Sequence, residues 1–453
     1  MKKIKNFTLL LLLLMGLSQK IRADYPLVSH KYLADPASLV YNGRVYLYCS
    51  NDDENPADDK GSYLMKSIAC VSSSDLKNWT DHGIVFEVPR DAKWAGKSWA
   101  PSVVDRDGLF FLYFGNGGNG IGVATSKSPL GPFKDPIDKM LISNNTPGVQ
   151  PATNMWLFDP MAFVDDDGQA YLYFGGNGAD NVRVIKLNRD MVSVSPPAIA
   201  INAKNFFEAS WMHKNNGIYY FSYSTNPQNG MRIDYLQSTS PTSGFTYGGT
   251  VSPQPPLNNN NNHQAIFKFN GEWYEAYHNR AVAIRANIPP IHKRNLCLDK
   301  ISHNADGSIE TMVNTEDGLK QLHYLNPFER VEAETMNAQY GIKTEICSTG
   351  GLNVCDIEDG DWIKVKGVDF KKGSKVFTAN IAGIQNAVIE IHLDSIGGKL
   401  IGKCKTPSTG SLQNWKTIQC KITKVKGVQD VVFVFTGGEG KRMNFNWWSF
   451  KGK

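Results

Sequence analysis

DPASLVYNGRVYLYCS, residues 35–50, opens with an acid, runs through a short strand, turns at Asn42-Gly43 and returns in an aromatic-rich strand. The same pattern recurs in APSVVDRDGLFFLYFG from Ala100, DPMAFVDDDGQAYLYFG from Asp159, EASWMHKNNGIYYFSYS from Glu208 and HQAIFKFNGEWYEAYH from His263. Each copy carries a dipeptide (Asn42-Gly43, Asp107-Gly108, Asp167-Gly168, Asn216-Gly217, Asn270-Gly271) that accepts the positive φ of a tight hairpin. The copies start 49 to 65 residues apart, which leaves room for two further strands in each unit and so for a four-stranded blade. Five blades fit residues 24–325, and with no long helical periodicity in that stretch, helices are few.

In a propeller the innermost strand of every blade lines the central channel, so equivalent positions of successive repeats converge on one axis. The opening positions are Asp35, Ala100, Asp159, Glu208 and His263: three carboxylates, one small residue and one imidazole at one end of the channel. Acids are rarely buried together without a task, because like charges raise one another's pKa. Hydrolysis of a glycosidic bond needs one carboxylic acid to protonate the leaving oxygen and one carboxylate to activate water or attack carbon. A third can hold the acid's pKa in the working range.

The rest of the composition narrows the field. With 453 residues the chain exceeds a single core, and two domains of unequal size are expected. Lys and Arg number 48 against 43 Asp and Glu, spread along the chain, so no basic face for nucleic acid is implied. Lys2, Lys3 and Lys5 precede the apolar run Leu9 to Leu17, with Ala23 before a cleavage point. Residues 1–23 therefore read as a signal peptide, the run falling short of the ~20 residues that span a bilayer, and a secreted or periplasmic, soluble protein follows. The seven cysteines are an odd count. Cys347 with Cys355 and Cys404 with Cys420 are candidate local pairs, the alternative being buried thiols. None has a metal-ligand or CxxC spacing.

Residues 24–325 resemble glycoside hydrolase family 43, inverting enzymes on five-bladed propellers that act on arabinose- and xylose-containing polysaccharides. Three motifs carry the resemblance: ADP at Ala34 to Pro36, FDP at Phe158 to Pro160 and FEAS at Phe207 to Ser210. It implies Asp35 as general base, Asp159 as the pKa-tuning acid and Glu208 as general acid. Trp99 in WAPS looks like the family's aromatic wall of the sugar subsite, and Arg280 in YHNR resembles its active-site arginine. His263 resembles the histidine beside a channel-bound calcium, held partly through water. The YCSNDDEN loop and the run of motifs look most like members that remove α-L-arabinofuranosyl groups from arabinoxylan. β-Xylosidases and arabinanases share the same three acids.

From Phe328 onward, VEAETMNAQYGIKTE, EDGDWIKVKGVDF, IEIHLDSIGGKLIG and MNFNWWSF alternate apolar and polar residues with Gly-rich turns, the pattern of a β-sandwich. The chain is thus expected to be all-β: a five-bladed β-propeller over 24–325 and a jelly-roll-type sandwich over 326–453. The second part resembles carbohydrate-binding module family 6, which implies a structural calcium at Glu332 and Glu334 of the EAE motif, with Asn446 where the family usually has Asp. It also implies a loop-end sugar cleft, of which Asn444 is retained while Asp356 and Leu412 stand where two stacking aromatics are expected. The module is therefore expected to buttress the propeller or to bind sugar on its sheet face. The implied partner is a plant polysaccharide: arabinoxylan, xylan or arabinan. Calcium is the only implied metal, and the chemistry itself requires none. Two rivals remain: a non-catalytic carbohydrate-binding protein, and a retaining fructan-type hydrolase, whose reacting carboxyls would lie ~5 Å apart instead of ~6.5–9.5 Å.

Overall fold

The structure, a computed structural model, describes residues 26–452 except 59, 316 and 317. The signal-like segment 1–23 lies outside the described residues. Five antiparallel sheets follow one another along the chain. Blade I is β1 (Leu33–Tyr41), β2 (Arg44–Asn51), β3 (Ser67–Ser73) and β4 (Trp79–Glu87), and blade II is β5 (Trp99–Arg106), β6 (Leu109–Gly115) and β7 (Ile121–Ser126). Blade III is β8 (Met161–Val164), β9 (Ala170–Phe174), β10 (Val182–Leu187) and β11 (Val194–Ile201). Blade IV is β12 (Phe206–Asn215), β13 (Ile218–Thr225), β14 (Ile233–Ser238) and β15 (Thr246–Ser252). Blade V is β16 (Gln264–Phe269), β17 (Glu272–Asn279), β18 (Asn295–His303) and β19 (Ile309–Glu310), with the short helix α1 (Ala281–Arg285) between its second and third strands.

Four of the five quoted turns have both central residues at positive φ, as Asn-Gly and Asp-Gly permit. Blade III differs. There only Gly168 is left-handed, and the Asp165 amide donates to the Gln169 carbonyl while that of Gly168 donates back to Asp165, a longer turn that suits the three successive aspartates. Blade II also departs from the expected four strands: isolated bridges Ile121 to Ile142 and Thr125 to Lys134 stand where its fourth would run.

The innermost strands are irregular at the end that matters. Asp35, Ala100 and Asp159 have φ of 49°, 40° and 48°, and in blade IV Ala209, next to Glu208, has 64°. Ladder irregularities occur between Ala34 and Ala37, between Trp99 and Ser102, and on both sides of Glu208. Such bulges bend a strand and re-aim its side chains. The freed backbone groups join neighbouring blades: Ala100 N–H donates to Ser50 Oγ (2.9 Å), Ala162 N–H to Ser102 Oγ (3.0 Å) and Ala209 N–H to Asp159 Oδ2 (2.8 Å), while Gln264 Nε2 donates to the Ala209 carbonyl (2.8 Å). The circle closes where Asp35 N–H donates to His278 Nδ1 (3.3 Å).

The remaining strands build two facing sheets. One is β23 (Lys343–Ile346), β24 (Leu352–Ile357), β31 (Met443–Gly452), β26 (Ser374–Gly383) and β29 (Ser411–Val425), with β20 (Val331–Glu332) beside β31. The other is β22 (Ala338–Tyr340), β25 (Trp362–Asp369), β30 (Val428–Thr436), β27 (Ala387–Leu393) and β28 (Leu400–Thr406). Phe377, Phe433, Phe445 and Trp448 fill the space between them. The two bodies share a sheet: β21 (Thr335–Met336) pairs with β4 and covers the outer edge of blade I. At the same contact Asp81 is 1% exposed, ion-paired to Lys31 (2.7 Å), and accepts from Thr344 Oγ1 of the sandwich (2.7 Å).

Candidate active site

Asp35, Asp159, Glu208 and His263 line one cavity of about 570 Å³ at the end of the channel, together with Ala100 and Trp99. The repeat register thus brings its opening positions together. All three acids are at least nine-tenths buried, and their environments separate them. Burial would raise Asp35, but Arg294 at 2.6 Å, with His263 and His278 nearby, overcomes it and holds the carboxyl at about 2. Glu208 is pushed the other way, to about 8, by burial and by the Asp35 charge. Asp159 is also raised, first by burial and then by Glu208 and Asp35. At neutral pH Asp35 has therefore lost its proton while Glu208 has kept its own, the two halves of acid–base hydrolysis.

The histidines are neutral. Burial lowers His263 to about 4 and carries His278 well below its usual value. Since His278 Nδ1 accepts from the Asp35 amide, its Nε2–H is the donor to the Asn261 carbonyl (3.0 Å).

Arg280 does not reach the cavity, contrary to the sequence reading. Its guanidinium is fully buried and donates to the Ile291 carbonyl (3.0 and 3.1 Å) and to Asn261 Oδ1 (2.7 Å). Asn261 in turn lines the cavity and, with the charge of Arg280 behind it, opposes the rise of the Glu208 carboxyl, so Arg280 acts on the site from behind the 258–262 asparagine run. The arginine at the site is Arg294. Its guanidinium sits against Asp35 and is gripped by Asp52 through Nε and Nη2, both at 2.8 Å, with the Arg294 amide as a third donor (3.0 Å). Sequence reasoning missed Arg294, Asp52, Tyr63 and Asn261. The one available hint was the acid-rich YCSNDDEN loop, whose Asp52 had no role in the repeat.

Trp99 lines the same cavity. Lys97 Nζ lies 4.4 Å over its ring, Tyr63 meets it edge-on, and among the described residues its indole N–H has no partner. Trp156 and Phe207 add further aromatic lining.

Among the described residues no group of three or more His, Cys, Asp or Glu side chains could hold a metal. Calcium takes six to eight oxygens. Around His263 the nearest carboxylates are Asp35 (3.7 Å) and Asp159 (4.0 Å), and Arg294 already occupies Asp35, so the side chains there do not build a cage. In the sandwich, Glu332 is paired with Arg330 (2.7 and 2.8 Å). Glu334 Oε2 and Asn446 Oδ1 are each buried oxygens with no partner among the described residues, the kind of donor a cation takes. Asn444 is 1% exposed and donates to Glu345 Oε1 (2.6 Å) and the Leu412 carbonyl (2.9 Å), while Asp356 is paired with Lys441 (2.7 Å).

Comparison with known proteins agrees with this geometry. Residues 24–309 match glycosyl hydrolases family 43, and residues 332–452 match carbohydrate binding module (family 6). An arabinoxylan arabinofuranohydrolase of Bacillus subtilis (strain 168) is 40% identical, over 96% of this chain and 93% of its own length. One from Paenibacillus polymyxa is 41% identical, over 94% and 74%. The crystal structure of a family 43 arabinoxylan arabinofuranohydrolase from Bacillus subtilis, in complex with cellotetraose, superposes with a TM-score of 0.90 at 41% identity, covering 96% of this chain and 98% of that one. With its five-bladed propeller, its buried acids and these relatives, the chain belongs to glycosyl hydrolases family 43 and is an inverting glycosidase.

Proposed function

We propose that this chain removes α-L-arabinofuranosyl side groups from arabinoxylan by inversion, with Asp35 as general base, Glu208 as general acid and Asp159 as the acid that tunes and orients it. The observation that carries the assignment of roles is the opposed ionisation of Asp35 and Glu208 within one cavity. Asp35, ionised by Arg294, takes a proton from water as that water attacks the anomeric carbon. Glu208 gives its proton to the leaving xylan oxygen. Trp99 offers a flat face to the sugar's C–H groups. Asp159, whose carboxyl burial and the charges of Glu208 and Asp35 push upward, stays anchored beside Glu208 by the contact its Oδ2 makes with the Ala209 amide.

In this reading residues 24–325 are the catalytic unit and 326–453 an accessory one that braces blade I through β21. The mature chain acts outside the cytoplasm, on the strength of residues 1–23. Calcium is proposed in the sandwich at Glu334 and Asn446, and beside His263 only through water; no step of the reaction runs through it. The test is product analysis on arabinoxylan, arabinan and aryl α-L-arabinofuranoside and β-xyloside, with the anomer of the released sugar followed by NMR. Arabinose released from arabinoxylan with inverted configuration is expected. Xylose release would transfer the assignment to a β-xylosidase, and no release to a binding protein. The pH profile of kcat/KM should fall as pH rises through about 8, where Glu208 loses its proton.

A further inference from the structure

Two cysteines of the sandwich face each other along its open side. Cys404 lies on β28, an edge strand of one sheet, opposite Ile389 of β27. Cys420 lies on β29, an edge strand of the other sheet, opposite Phe377 of β26. Residues 407–410 join β28 to β29, so the two strands run past each other in opposite directions. A Cβ on Gly402 of β28 would stand 2.6 Å from Ile422 Cγ2 of β29, which sets positions 402 and 422 side by side. Two residues further along each antiparallel strand, on the same face, are Cys404 and Cys420. Each thiol is the first cause of the other's shift, Cys404 being raised and Cys420 lowered, as befits two neighbouring sulfurs. Cys404 belongs to the sandwich core and the half-buried Cys420 packs against it.

The other candidate pair is kept apart, and so are the two neighbouring-strand cysteines of blade I. The β23–β24 hairpin sets Cys355 opposite Lys343, four residues along the strand from Cys347 and therefore roughly 13 Å away. Cys49 and Cys70 sit on neighbouring strands but belong to different core clusters, on opposite faces of blade I.

We propose that Cys404 and Cys420 form a disulfide that ties the two sheets of the sandwich together along this edge. At the neighbouring position a Cβ on Gly402 would lie 3.4 Å from Ile422 Cβ, close to the Cβ separation of ~3.5–4.5 Å that the bond needs. In the reaction the Cys420 thiolate, the more exposed of the two, attacks an external disulfide such as oxidised glutathione, and one glutathione thiol leaves. The Cys404 thiol then loses its proton and displaces the second glutathione. Two protein S–H bonds are replaced by one S–S bond, and two electrons and two protons pass to the oxidant, whose own S–S bond becomes two thiols.

The test equilibrates the full chain with oxidised glutathione, denatures it, alkylates free thiols and maps the peptides by mass spectrometry. Of the seven cysteines, five should be alkylated, with one linked peptide pair containing Cys404 and Cys420. Seven alkylated cysteines, or a link through any other cysteine, would overturn the proposal. As a second reading, reductant should lower the melting temperature of the oxidised chain by roughly 5–10 °C and leave a Cys404→Ser/Cys420→Ser variant unmoved. An equal drop in both would likewise overturn it. If the variant does not fold, the thiol count on the unaltered chain still decides.

Discussion

The mouth of the propeller and the loop end of the sandwich are both places where a family likeness implies sugar, and they treat their polar groups in opposite ways. At the propeller, the Trp99 indole N–H has no partner among the described residues, and two carboxyls stand in opposite charge states in an open cavity. At the sandwich, Asn444 donates to Glu345 and to Leu412, Gln413 Nε2 donates to Glu345 Oε1 (2.7 Å) and Trp415 Nε1 to Ser348 Oγ (3.0 Å), so the polar atoms satisfy one another. A site kept for a ligand leaves polar capacity unspent, whereas a surface kept for stability uses it internally. Likeness of fold alone does not separate the two; the hydrogen-bond ledger does.

The largest effect that could break this contrast is chemical. Glu208→Gln keeps the shape of the general acid and removes its proton. Activity on arabinoxylan should drop by about 10³-fold while the melting temperature stays within a few degrees, because the variant relieves a buried acid held against its neighbour's charge. Full activity in this variant would remove Glu208 from the mechanism and with it the argument from opposed ionisation. Initial rates on soluble arabinoxylan, beside a thermal melt, read both quantities.

The repeat was legible because each hairpin announces itself by an Asn-Gly or Asp-Gly turn before an aromatic strand, and because register in a propeller maps onto position around an axis. That placed Asp35, Asp159 and Glu208 in one cavity from positions 49 to 173 residues apart. The bulges that aim them were not legible, since a left-handed Asp35 or Asp159 looks like any other Asp before proline. Arg294 and Asp52 were missed for a different reason. They lie 242 residues apart and meet only because blade V closes against blade I, a contact that no local pattern records. Arg280, chosen by motif, is one strand turn away and braces Asn261 instead. In the sandwich, the loss of the two aromatics at Asp356 and Leu412 could be read directly, but the internal commitment of Asn444 required coordinates. The strand that β21 lends to blade I was likewise invisible, two residues being too few to show a period.

An intermediate effect tests the bracing role. Asp81 holds Lys31, His30 (2.9 Å) and Thr344 at the junction of the two bodies, and although burial opposes its charge, these partners hold its carboxyl far below the usual range. A depressed pKa contributes stability that is present above the unfolded value of ~3.9 and is lost as pH falls below it. Asp81→Asn leaves the Lys31 charge without its partner and should cost about 3 kcal/mol at pH 7, with a weaker acid dependence than the parent below pH ~4. Denaturant melts between pH 3 and 7 measure both. A parent and variant with identical stability would reduce the junction to a passive contact and leave sheet-face binding as the better account of the module.

The smallest expected effect is the sharpest test of the contrast itself. Asn444→Ala removes one donor from Glu345, which keeps Gln413 Nε2, and one from the Leu412 carbonyl. A loss of about 1 kcal/mol in stability follows from that pair of hydrogen bonds. Retention on xylan in affinity electrophoresis should change by less than about twofold, because a side chain that is 1% exposed and internally bonded has nothing left to offer a sugar. A large drop in retention with unchanged stability would mean that the Asn444 network opens when sugar arrives. The sandwich would then be a ligand site held shut by its own hydrogen bonds, and its difference from the propeller mouth would be one of ligand-driven population rather than of kind.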